Sequence, residues 1–178
     1  DNCESLGGLT PEGCKAGSYG LMSSHSFFYS HHINTMEGGS VSTSDDDIYL
    51  LCLVIRNHGW VRDLAGLEDL LDRDTPVARY IRERLPKGND PHHEFMKRFF
   101  FILPGFNIRP TEIQGSLGCT QLLKLPSFID IRRANLLHLK GALASDPFPL
   151  SLQREHGASS AFGFGFVLDE QVMRASLI

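Results

Sequence analysis

His31 and His32 stand side by side in the stretch Ser-Phe-Phe-Tyr-Ser-His-His-Ile-Asn-Thr-Met-Glu-Gly-Gly that runs from Ser26 to Gly39. A histidine can move a proton near neutral pH or bind a metal through a ring nitrogen. Metal binding would enlist His31, His32 and Glu37. Adjacent residues on a strand point in opposite directions, however, and no H-x-x-x-H or C-x-x-C spacing supports them. No metal site is expected. Taken alone, His31 reads as an ordinary hydrogen-bonded polar histidine. His92-His93 reads as a surface pair. Gly163 and Gly165 do not lead into a helix, so they do not make a phosphate loop. No G-x-S-x-G nucleophile elbow occurs. Cys3, Cys14, Cys52 and Cys119 form no C-x-x-C pair and no set suited to an iron–sulfur cluster, and four cysteines in 178 residues are not a disulfide scaffold. A reduced, cytoplasmic protein is the expectation.

The elements that would carry these residues follow from periodicity. Leu21 to Tyr29 reads as a buried strand and Gly39 to Thr43 as a second. Ser44 reads as a helix N-cap before Asp45, Asp46 and Asp47, whose charges suit the positive end of the helix dipole. Ile48, Leu51, Cys52 and Ile55 then share one face, and Arg56-Asn57-His58-Gly59 closes the helix. His58 at that end has a plain dipole reading. Residues 60 to 100 read as a charge-mixed surface, with a loop from Leu85 to His93. Arg98 to Asn107 reads as a buried or interface segment. Two helices are predicted next, Thr111 to Lys124 and Pro126 to Leu143, with Pro126 opening the second and Pro147–Pro149 ending it. Phe162, Phe164 and Phe166 alternate over a strand from Ala161 to Leu168, and Asp169 to Arg174 reads as the start of a further helix. A strand followed by a capped helix favours an α/β class.

Composition narrows the function classes. The 178 residues carry 17 Lys+Arg and 21 Asp+Glu, a net −4, with 42 % hydrophobic and 21 % charged residues. Such a chain is globular rather than disordered or fibrous, and it offers no basic footprint for nucleic acid or an anionic membrane. The longest apolar run, Ile48 to Ile55, is far short of the ~20 residues that span a bilayer. The chain opens on Asp1, not Met, and reads as an internal piece of a longer one. As a terminus, Asp1 would be a frayed end.

Several motifs together carry a resemblance. Asp1-Asn2-Cys3-Glu4, Gly17-Ser18-Tyr19-Gly20, Ser26-Phe27, Glu37-Gly38-Gly39, Arg56 to Gly59, Gly105-Phe106-Asn107-Ile108-Arg109, Gln121-Leu122, and Phe128-Ile129 with Arg132-Arg133 keep family order and spacing along nearly the whole chain. The sequence resembles the DegT/DnrJ/StrS family of pyridoxal-phosphate sugar aminotransferases. That resemblance implies a fold-type-I aspartate aminotransferase architecture, an α/β/α large domain plus an α+β small domain. Residues 1–108 would be the C-terminal part of the cofactor-binding large domain. Residues 109–178 would be an incomplete small domain.

One departure narrows the resemblance. Where the family carries the lysine that forms the cofactor Schiff base, this chain has His31. It therefore resembles the histidine-bearing branch, sugar 3-dehydrases that use pyridoxamine phosphate. Met36 stands at a usual glycine and Tyr29 at a usual proline. The resemblance implies Asp1 at the pyridine nitrogen, Glu4 near the ring face, and Ser26 and Asn107 at the cofactor phosphate, Asn107 acting across a homodimer interface. It implies His31 as the base for loss of the C3 hydroxyl from a nucleotide-linked 4-keto-6-deoxy sugar, with His58 a weaker substrate contact and glutamate the amino donor. Two other outcomes stay open: a sugar aminotransferase-like protein, and a truncated fragment without activity of its own.

Overall fold

The computed structural model describes residues 1–64, 66–88, 90–144 and 150–168, without the side chains of residues 63, 97 and 168. The chain divides into two units, Asp1–Ser40 with Glu112–Ile178, and Val41–Thr111. Its elements are β1 (Met22–Ser26), β2 (Gly39–Thr43), α1 (Asp46–Ile55), a 3-10 turn at Val61–Leu64, α2 (Glu68–Leu71), α3 (Pro76–Arg84), α4 (Pro91–Lys97), α5 (Glu112–Ala144), β3 (Leu150–Leu152) and β4 (Phe166–Leu168). No helix among the described residues is long and apolar enough to cross a membrane. All four cysteines are free thiols.

The second unit is built around α1. Its cap is Asp45, one residue later than the sequence suggests: the Asp45 carboxylate accepts from Ile48 N at 3.0 Å, while Thr43 Oγ1 turns the chain by accepting from Asp45 N. Asp47 then joins two helices, accepting from Thr75 Oγ1 and from Val77 N at 3.3 Å, at the capped, proline-started N-terminus of α3. Leu50, Leu53 and Val54 of α1 meet Val61, Leu64, Leu71, Ala78 and Ile81 in one apolar core. The Arg98–Asn107 segment is only half as buried as its composition suggests. Phe100, Ile102 and Leu103 pack on the core, whereas Phe99, Phe101 and Phe106 are exposed and two of them stack with Trp60. Residues 91–93, read as loop, start α4. Asp90 accepts from His92 N and His93 N at 2.9 and 3.0 Å, and Pro91 takes the first helical position, where a missing N–H costs nothing.

The first unit is organised by α5. The two helices expected on either side of Pro126 are one helix of 33 residues, about 50 Å long. A proline inside a helix costs about 3 kcal/mol through a lost hydrogen bond and a ring clash. Contacts on both sides hold the helix through it. Before the proline, Gln114 donates to Glu37 O at 2.7 Å; after it, Arg132 and Arg133 donate to Ala161 O and Gly7 O at 3.2 and 2.8 Å. β1 is shorter than expected, and Leu21, Met22 and Tyr29 are exposed rather than buried. β3 and β4 pair antiparallel with Leu152 opposite Phe166. The strand expected from Ala161 begins at Phe166; the residues before it, with Gly163 and Gly165 among them, line a cleft instead. The predicted break at Pro147–Pro149 and the helix start at Asp169 lie outside the described residues.

Candidate active site

Four of the residues singled out in the sequence lie in the first unit, and β1 with the loop after it positions three of them. Asn2 N donates to Ser24 O at 2.8 Å, which lays the chain start beside β1. The Asp1 carboxylate is exposed, and its Oδ1 accepts from Cys3 N at 3.0 Å and from Ser24 Oγ at 3.2 Å. Asn2 is buried under it and packs against Gly17, where a side chain would collide with the Asn2 amide. Ser26 is two residues beyond Ser24 on β1, hence on the same face. Its Oγ accepts from Phe28 N at 3.2 Å, and a serine hydroxyl that accepts one bond can still donate another.

His31 follows in a turn where its N donates to Phe28 O at 3.0 Å, and Phe27 is bonded to both Gly38 and Thr35. The imidazole is half-buried between two aromatic rings, Phe162 at 5.3 Å and Phe28 at 6.0 Å, each edge to face. Its Nδ1 is buried and has no hydrogen-bond partner among the described residues. His32 faces elsewhere: it is buried, with Nε2 2.7 Å from Ser160 O. Among the described residues no group of three or more His, Cys, Asp or Glu side chains gathers to hold a metal ion. Burial pushes the His32 imidazole below its ordinary value, and the Arg132 guanidinium adds to this against the opposing bond to Ser160.

Glu4 is exposed and lines a cleft of about 480 Å³ with Ser5, Gln153, Glu155 and the Phe162–Gly165 segment. A neighbouring cleft of about 220 Å³ is lined by Arg132, Asn135, Phe162 and Phe164. Phe162 therefore serves both as a wall of the Glu4 cleft and as a contact of His31.

His58 and Asn107 lie in the second unit and share one corner. Phe106 N donates to Ile55 O, His58 N to Phe106 O and Ile108 N to Arg56 O, at 2.7, 2.8 and 3.1 Å. Asn107 is thus bridged to Asn57 with its side chain exposed, and His58 is exposed at φ 61°, a left-handed conformation that is uncommon for a side-chain-bearing residue. Ser160 and Phe162 each touch one of the paired histidines; in the sequence Phe162 stands out only as part of an aromatic strand face, and Ser160 not at all. The His-His doublet was the available signal, and it names no partner.

The family model described as the DegT/DnrJ/EryC1/StrS aminotransferase family matches residues 1–178. The chain is 44 % identical over 180 residues to a GDP-4-keto-6-deoxy-D-mannose 3-dehydratase of Yersinia pseudotuberculosis and 41 % identical to one of Escherichia coli, covering all of this chain and 41 % and 42 % of those proteins. It superposes on the solved E. coli GDP-4-keto-6-deoxy-D-mannose-3-dehydratase with bound hydrated PLP at a TM-score of 0.79 and 41 % identity, over 99 % of this chain and 41 % of that one. A structure of GDP-4-keto-6-deoxymannose-3-dehydratase with a trapped PLP-glutamate geminal diamine gives 0.80 at 40 % identity, over 99 % and 42 %. The chain thus spans about two-fifths of the length of these relatives. It carries part of the fold-type-I architecture, and it belongs to the DegT/DnrJ/EryC1/StrS aminotransferase family.

Proposed function

We propose that this chain contributes the proton-transfer side of a pyridoxamine-phosphate-dependent site that removes the C3 hydroxyl of a nucleotide-linked 4-keto-6-deoxy sugar, in deoxysugar and surface-polysaccharide synthesis. The reading rests on His31 in the position of the family lysine, with a buried Nδ1 that has no partner among the described residues. A lysine would offer an amine for covalent attachment, whereas an imidazole offers proton transfer alone. The 44 % and 41 % identity to GDP-4-keto-6-deoxy-D-mannose 3-dehydratases favours a GDP-linked sugar.

The residues present fit the cofactor. Asp1, oriented by Cys3 N and Ser24 Oγ, would hold the pyridine nitrogen, and Ser26 would donate to the phosphate. When bound, the cofactor supplies the electron sink for loss of the hydroxyl, and a carboxylate at the ring nitrogen sustains it. Glu4 would lie near the ring face. His31 would take the proton released on the way to dehydration, its ring held between those of Phe28 and Phe162. Asn107 would reach the phosphate of a second subunit in a homodimer, and His58 would meet substrate. Glutamate would restore the amine form, a role supported by the relative solved with a PLP-glutamate adduct. The reading includes a cytoplasmic location, no nucleic acid or membrane partner, no metal, and a division into a large-domain part at 1–108 and an incomplete small domain at 109–178.

A second reading is a fragment without independent activity, or a sugar aminotransferase-like protein. Its support is that relatives are more than twice as long as this chain, which covers 41 % and 42 % of them. One experiment addresses both. A chimera carries this chain in place of the matching segment of the E. coli relative and is given GDP-4-keto-6-deoxymannose, pyridoxal phosphate and glutamate. A 3-deoxy product from the chimera, with none from the 178-residue chain alone, is the expected result. A 4-amino sugar as the product overturns the dehydratase reading.

A further inference from the structure

We propose that His32 is a positioning residue, whose buried bond to Ser160 fixes the 160–162 segment so that the Phe162 ring sets the orientation of the His31 imidazole. The inference rests on the reading of His31 as the proton-transfer group.

His32 is 3 % exposed and Ser160 1 %. His32 Nε2 lies 2.7 Å from Ser160 O and 3.1 Å from Ser160 Oγ. A carbonyl oxygen only accepts, so Nε2 carries the hydrogen and the ring is held in that tautomer. The next carbonyl, Ala161 O, accepts from Arg132 Nη1 at 3.2 Å. Both carbonyls that precede Phe162 are therefore tethered, one to the residue beside His31 and one to α5. The Phe162 ring then meets the His31 ring at 5.3 Å and 65°, and Phe28 meets it at 6.0 Å and 66°.

A working histidine is ordinarily oriented by a hydrogen bond on its second ring nitrogen. The Nδ1 of His31 has no such bond among the described residues. Two aromatic edges take its place, and the placement of one of them depends on the His32–Ser160 bond. Phe162 also lines the Glu4 cleft, so the same tether sets the base and one wall of that cleft together. His32 keeps this role as a neutral imidazole, in line with the lowering of its pKa by burial.

The test is NMR on the isotopically labelled 178-residue chain, with no cofactor or substrate. Wild type should show an NOE between the ring protons of His31 and Phe162. His32→Gln places an amide N–H at the reach of Nε2 and should keep that NOE; His32→Leu should lose it. Phe162→Leu, at a half-exposed position, keeps the question decidable should His32→Leu not fold. In this variant the His31 ring should lose its NOE to Phe28 and move to rotamer-averaged shifts. The proposal is overturned if a folded His32→Leu retains the His31–Phe162 NOE, or if Phe162→Leu leaves the His31 ring signals in place. Neither result bears on whether His31 is the base, which the chimera assay tests separately.

Discussion

Gly59 and Gly105 meet backbone to backbone: a Cβ on Gly105 would collide with Gly59 N, and one on Gly59 would collide with Leu103 O. This contact presses the 105–108 segment against the end of α1 and so brings His58 and Asn107 to one corner. Gly59 also sits at φ +83°, where a side chain is strained. Gly59→Ala and Gly105→Ala should each destabilise the protein by roughly 2–4 kcal/mol, since overpacking against backbone adds to left-handed strain at the first position. Urea denaturation reads the loss.

Met36 occupies a left-handed position, φ 69°, which glycine adopts without strain. Asn34 Oδ1 accepts from Met36 N at 2.6 Å and Thr35 Oγ1 donates to Glu37 O at 2.8 Å, which holds the turn despite the strain. Met36→Gly should be neutral or stabilising by up to about 1 kcal/mol, and Met36→Val destabilising by about 1–2 kcal/mol, because a β-branched side chain suits that backbone least. The ordering of the two melting temperatures checks this.

Asp47 couples two helices through Thr75 and Val77 N. Removing its carboxylate leaves the Val77 donor at the start of α3 without its acceptor. Asp47→Ala should cost about 1–3 kcal/mol, and Asp47→Asn, which keeps an acceptor oxygen, should cost less. Chemical denaturation of the pair separates the two.

The buried His32 gives a pH signature. Its folded pKa lies below the ordinary value of 6.5, chiefly through burial. On acidification below that value the unfolded state binds the proton first, so stability falls until the folded value is reached. His25 is lowered in the same direction, also by burial, so the comparison must isolate His32. The difference in stability between wild type and His32→Gln should change as pH drops below about 6.5 and stay flat above it. A difference that is constant from pH 5 to pH 8 would place the proton elsewhere.

Local signals were legible in the sequence where cap, face and stop agreed. α1 has an acidic start, an apolar face and Gly59 after it, and its boundary moved by one residue. β2 fell on Gly39–Thr43 as expected. Proline misled twice, in opposite senses. Pro91 belonged to a loop by composition yet opens α4 under an Asp90 cap, while Pro126 looked like a helix start and lies inside α5. Both outcomes depend on hydrogen bonds that composition does not encode: a side-chain cap in one case, and contacts from α5 to Glu37, Gly7 and Ala161 in the other. His31 stood out because of the resemblance around it, since the His-His pair alone has no metal or triad spacing. The bond from His32 to Ser160 joins positions 128 apart, and no local pattern announces such a pairing.

The proposed function requires proton transfer by His31 in dehydration. Its most direct measurement is the dehydration rate of the chimera with His31 and with His31→Ala, cofactor and substrate saturating. A loss of about 10²–10⁴-fold in kcat, the usual worth of a positioned acid–base group, is the result expected. An unchanged kcat for loss of the C3 hydroxyl in His31→Ala would contradict the account.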